Sequence, residues 1–152
     1  MTRDVVVKIK GIQIDGSQGG EHDNAPVEVI TSASYFCKNG KHYIVYDEVA
    51  EGVKEITKNK IKIAGEDSLE VLKSGNVNAH MYFDRASDSR TLYKTPFGHM
   101  AMDVHTKDIV LTEEDEHIHV NLKYGLDMNN APLADCQIEI DIRPRSAEAL
   151  GF

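Results

Sequence analysis

The chain has 152 residues, 41% of them hydrophobic, which suits one globular domain with a buried core rather than a disordered chain. Its 25 acidic and 17 basic residues leave a net charge of −8 with no basic stripe, which argues against nucleic acid and anionic lipid as partners. No apolar run approaches the roughly 20 residues of a membrane helix, and residues 1–4 lead straight into an alternating strand, not a signal peptide's apolar region, so a cytoplasmic protein is expected.

Taken in order, the chain repeats one pattern: an alternating strand, a turn, another alternating strand. Val5, Val7 and Ile9 open the first strand, which runs on through Ile12 and Ile14. A polar, glycine-rich loop spans 15–24. The second strand, at 27–36, alternates Val27, Val29, Thr31, Ala33 and Tyr35 against polar neighbours, and Asn39-Gly40 marks a tight hairpin into a third at 42–48. In the fourth, at 56–63, Thr57, Asn59, Ile61 and Ile63 share one face, and Lys58, Lys60 and Lys62 take the other. Short strands at 69–72 and 77–83 follow, then a polar loop at 84–89.

Residues 92–100 read as two strands folded back at Pro96-Phe97-Gly98. Proline suits the second position of a type I turn, and glycine can close the hairpin with a bulge. Such a bulge would shift the alternation by one; the preferred facing puts Tyr93 and Thr95 with Met100, Met102 and Val104. The eighth strand runs from 99 to about 111, with a bulge expected at 106–108 so that Val104 and Ile109 stay on one side. An acidic turn at 113–116 leads to the strictly alternating Ile118, Val120, Leu122, Tyr124 and Leu126. A turn at 127–132 precedes Cys136, Ile138, Ile140 and Ile142, and Pro144 stops the last strand.

About ten strands with one apolar face each, joined by short turns, predict an all-β antiparallel meander at 4–143 with a tail at 144–152. Closing the meander into a β-barrel hides its edges best, and a two-sheet sandwich is the alternative. In a barrel, Phe83 and Tyr124 meet in one dry lumen.

The fragments 43–48, Thr57 with 61–63, 81–83, 93–98, Thr106 and 120–126, in that order and spacing, resemble the bacterial YwiB-like proteins. That family has no known function and a calycin (lipocalin-like) β-barrel. The resemblance covers nearly all of 4–143 except the loop at 15–24. It implies a barrel in a cytoplasmic bacterial protein, and supplies neither catalytic residues nor a ligand.

The interior set resembles the wall of a small-molecule pocket, apolar with a few polar handles. Its members are Tyr46, Glu48, Thr57, Met81 and Phe83 from the first half, and Tyr93, Thr95, Met102, Leu122 and Tyr124 from the second. Glu48 follows Ile44 and Tyr46 on one face, so it sits near a barrel mouth, where it could orient a ligand or carry a raised pKa, or else pair with a lysine such as Lys60 or Lys62 or reach solvent at the strand end. The same side chains could instead fill a small barrel completely. Binding of a small, partly apolar ligand is therefore the first expectation. A homodimer through an outer face or a β-edge, with a filled barrel, is the second. An enzyme acting on an intracellular metabolite through Glu48 is the third, although no nucleophile, phosphate-loop or dinucleotide motif appears.

No metal or cofactor is expected. His117 and His119 share one strand face at a spacing that can grip a metal, but they face away from Ile118 and Val120 without an obvious third ligand. The seven histidines read as surface residues. Cys37 and Cys136, the only cysteines, are expected as free thiols and cannot complete a zinc site by themselves.

Overall fold

Alternation builds the molecule strand by strand. The computed structural model describes residues 3–13, 27–49, 52 and 54–145, with backbone alone at 12 and 13. The glycine-rich stretch at 15–24, Ile14 and the tail beyond 145 lie outside the described residues. Ten strands form one antiparallel sheet. They are β1 (Asp4–Gln13), β2 (Val27–Lys38), β3 (Lys41–Val49), β4 (Ile56–Ile63), β5 (Ser68–Gly75), β6 (Ala79–Asp84), β7 (Ser89–Thr95), β8 (Gly98–Glu114), β9 (His117–Met128) and β10 (Ala131–Pro144). No helix among the described residues is long and apolar enough to cross a membrane.

The sheet order is β6-β5-β4-β3-β2-β1-β10-β9-β8-β7, a meander whose first and last strands pair with each other. The free edges, β6 and β7, come together through a bridge between Asn78 and Lys94, whose amides and carbonyls exchange hydrogen bonds of 2.9 and 2.8 Å. Side chains add stitches: Ser89 Oγ donates to Tyr82 O at 2.6 Å, and His80 N donates to Thr91 Oγ1 at 3.4 Å. The expected barrel is thus formed and nearly closed, and the sandwich is set aside. Phe83 and Tyr124, on opposite walls, meet edge-to-face with ring centroids 4.9 Å apart.

Turn chemistry sets the register. Asn39 and Gly40 both take positive φ, as the two-residue hairpin between β2 and β3 requires. Asn129 and Asn130 do the same between β9 and β10, so that turn is two residues and both strands run further into 127–132 than the sequence suggests. At the Pro96-Phe97 turn, Thr95 pairs with Gly98 and Tyr93 with Met100, with no bulge. Tyr93 therefore shares a face with Met100, and Thr91 with Met102. The bulge expected in β8 is present between Thr106 and Asp108, and it keeps Val104 and Ile109 fully buried on the same side.

One stretch of wall is not continuous. β2 and β3 pair only from Ser34↔Val45 to Lys38↔Lys41. Toward its start β2 stays on β1 as far as Val27, and toward its end β3 stays on β4 as far as Val49. The sheet therefore parts between residues 27–33 and 46–49.

Candidate functional site

The parted wall leads to the interior. Inward residues form cross-strand rows, because directly opposed residues share a face. Tyr46, Asn59, Lys73 and Ala79 make the row nearest the opening on β3 to β6; Ile44, Ile61, Val71 and Met81 make the next; His42, Ile63, Leu69 and Phe83 make the third. Between these rows and the opposite wall lies a cavity of about 150 Å³, bounded by Tyr46, Val71, Met81, Phe83, Leu122 and Tyr124 among others. A cleft of about 510 Å³ occupies the gap between β2 and β3, lined by Val29, Ile30, Thr31, Asp47, Glu48 and Val49. Ile9, Tyr46 and Lys73 line both spaces.

The polar group at the mouth is a triangle of Glu48, Asn59 and Lys73. Asn59 is completely buried. Its Nδ2 donates to Glu48 Oε1 at 3.0 Å, and its Oδ1 accepts from Lys73 Nζ at 2.8 Å. Lys73 Nζ also donates to Glu48 Oε1 at 3.0 Å. Partial burial pushes the Glu48 carboxyl up, but the hydrogen bonds from Asn59 and Lys73 and the lysine's charge outweigh it and hold it below its ordinary value. The expected raised pKa is corrected, since the value is lowered, and the expected pairing with a lysine is met by Lys73 of β5 in place of Lys60 or Lys62. An ionised carboxylate pinned by two donors is poorly suited to proton transfer near neutrality. Burial, with the Glu48 charge adding to it, pushes the Tyr46 phenol up to about 12, so it stays a neutral donor.

The remaining expected residues divide. Tyr46, Met81, Phe83, Leu122 and Tyr124 line the cavity. Burial raises the pKa of Tyr93, with Glu48 contributing, and of Tyr124, with Cys136 and Tyr93 contributing, so these two phenols stay protonated like Tyr46. Met102 is buried in the barrel wall. Thr57 is also buried, but its hydroxyl accepts from Val77 N at 3.1 Å and so braces the β5–β6 connection. Thr95 is not an interior residue in any useful sense: its hydroxyl accepts from Phe97 N at 3.1 Å and donates to Gly98 O at 3.0 Å, within the turn. Sequence reading missed Lys73, because the fifth strand was ended at Leu72; continuing the alternation of Leu69 and Val71 by one step reaches it.

At the opposite end His42 corrects the expectation of a surface histidine. It shares the inward face of Ile44 and Tyr46, and its side chain is only 12% exposed. Tyr35 Oη and His42 Nδ1 are 2.7 Å apart, and His42 Nε2 bonds Glu113 from the far wall. This chain ties β2, β3 and β8 together and plugs that end of the barrel.

A third polar cluster stands on the outer surface, where Asp141 lies opposite His119 and reaches His117 as well. The three donor atoms lie within 4.8 Å of one another.

A family model described as a domain of unknown function (DUF1934) matches residues 7–140. Among solved structures, the crystal structure of the ywiB protein from Bacillus subtilis superposes with a TM-score of 0.77 at 21% identity, covering 95% of this chain and 93% of that one. No curated relative matches the chain. At that identity the superposition speaks for the shared barrel, while the family match spans nearly all ten strands: the chain belongs to the DUF1934 family, the YwiB-like proteins of unknown function.

Proposed function

We propose that the protein holds a small, partly apolar molecule, with an apolar tip inside the barrel and a polar head at the Glu48–Lys73–Asn59 triangle. The observation that carries this reading is the pair of adjoining spaces with common walls at Ile9, Tyr46 and Lys73. An apolar cavity of about 150 Å³ accommodates a group the size of benzene. The cleft outside it has the volume of an ordinary ligand site, about 300–1,000 Å³. Together they favour an amphipathic occupant over a wholly greasy or wholly polar one. A cytoplasmic setting belongs to the same reading, since Cys37 and Cys136 are free thiols, the state a reducing compartment maintains.

The test is an NMR titration with phenethylamine and phenylacetate, which place the same ring behind opposite charges. Saturable shifts at Met81 and Tyr124 are expected for at least one of them. Val71→Phe, which puts a ring into the cavity from β5, is expected to weaken the response at least about tenfold while leaving the spectrum folded. Unlocalised shifts, or an equal response in Val71→Phe, would overturn the proposal.

A further inference from the structure

We propose that His117, His119 and Asp141 form a site for one divalent transition-metal ion on the outer face of β9 and β10, independent of the barrel interior. Strand alternation places the two histidines on one face, and the ladder sets Asp141 directly opposite His119. Asp141 Oδ1 accepts from His117 Nε2 at 2.6 Å and from His119 Nδ1 at 2.8 Å. Two imidazole nitrogens thus converge on one carboxylate oxygen. A tetrahedral ion with bonds of about 2.0–2.1 Å needs its donors roughly 3.3 Å apart. Each histidine nitrogen must therefore move away from Asp141 Oδ1 by roughly 0.5–0.7 Å, a change within the reach of side-chain torsions.

Further carboxylates stand beside both rings. Each histidine turns its other nitrogen toward a second carboxylate: His117 Nδ1 lies 3.9 Å from Glu114 Oε1, and His119 Nε2 lies 3.8 Å from Glu139 Oε1. At these distances neither is a hydrogen bond, but a movement of about 1 Å would bring each carboxylate to the position that orients an imidazole ligand. The side chains of His117, His119 and Asp141 are 28%, 28% and 20% exposed, so they are half-buried between neighbouring strands rather than free in solvent. Positive charge on this face comes from Lys8 and Lys10 of β1, opposite Asp141 and Glu139, from Arg143 of β10 and, further along β9, from Lys123. Lys8 itself lies 3.7 Å from Glu28 of β2. Two imidazoles with one carboxylate select zinc, cobalt, nickel or copper over magnesium or calcium, and leave a coordination position for water or an exogenous ligand. An ion there would join β9 to β10 away from their turn.

The test uses untagged protein stripped with a chelator, titrated with Co²⁺ by visible absorption and with Zn²⁺ by calorimetry. One equivalent is expected, with nitrogen- and oxygen-ligated cobalt bands and no thiolate charge transfer. His119→Gln and Asp141→Asn are each expected to weaken binding by more than about tenfold, and Glu139→Gln by about tenfold. His99→Gln, elsewhere on the surface, is expected to leave affinity unchanged. Circular dichroism confirms that each variant is folded. Absence of saturable binding up to millimolar metal, a thiolate band, or equal affinity in wild type and Asp141→Asn would overturn the site.

Discussion

Thr106 lies opposite Tyr124 in the β8–β9 ladder, and its hydroxyl is buried with no hydrogen-bond partner among the described residues. An unmet buried hydroxyl costs on the order of 1–3 kcal/mol, whereas a methyl of the same shape costs nothing of that kind. Thr106→Val is therefore expected to stabilise the protein by about 1 kcal/mol, raising Tm by roughly 2–4 °C for a chain of this size. A fall in Tm would show that the hydroxyl is satisfied in solution. Other residues at this scale were readable from the chain only in part. Strict alternation from Ile44 through Tyr46 placed Glu48 near the mouth. It could not supply the lysine that neutralises it, which arrives from β5. Asp141 was hidden for a different reason. A two-residue turn at Asn129-Asn130 alone would set Ile140 against His119. The irregularity between Pro132 and Ala134 shifts the register by one and brings Asp141 there instead.

Gly75, at the end of β5, shows how an element depends on one backbone position. Its φ is +134°, and a Cβ there would sit 2.2 Å from the carbonyl oxygen of Ile56. The neighbouring turn is held by Asn78, whose side chain donates to Gly75 O at 2.8 Å and accepts from Gly75 N at 3.2 Å. Asn78 also makes the backbone bridge to Lys94 that draws β6 and β7 together. Gly75→Ala is accordingly expected to cost about 2 kcal/mol or more by chemical denaturation. A change below about 0.5 kcal/mol would mean that the turn relaxes freely and that the seam does not depend on it. Strand order and type were legible because every strand has a dry and a wet face. Strand ends were not, since Ser89–Arg90 and residues 131–135 carry no strong alternation and owe their pairing to partners far along the chain.

For the whole molecule, charge is balanced unevenly, and histidines make up part of the difference. With 25 acids against 17 strong bases, His42, His80, His105, His117 and His119 each face a carboxylate. His105 lies 2.8 Å from both Asp127 and Asp88, and hydrogen bonds to Asp127 and then Asp88 raise its pKa. Its contribution to stability is fully present below the unfolded value of about 6.5 and is lost as pH rises through the folded value. Glu48 and Asp141 behave oppositely. Burial raises the Asp141 carboxyl, but hydrogen bonds from His117 and His119 outweigh it, so both carboxyls are lowered. Their contributions are present above about pH 4 and are lost as pH falls through their folded values. Urea midpoints measured from pH 3 to 9 are therefore expected to peak between about pH 4.5 and 6.5 and to decline on both sides. A midpoint rising steadily from pH 5 to 8 would contradict this balance.

The meander also governs how the chain finds its shape. Each strand from β2 to β9 has its ladder partners or seam contact next to it in sequence, and the β1–β10 ladder joins the distant ends across nine residue pairs, Val5↔Pro144 to Gln13↔Cys136. From β2 to β10 hairpins can therefore nucleate locally, each closing only a short turn, while the entropy of the longest closure is met at one interface. Docking β1 against β10 is the contact that converts a string of hairpins into a cylinder.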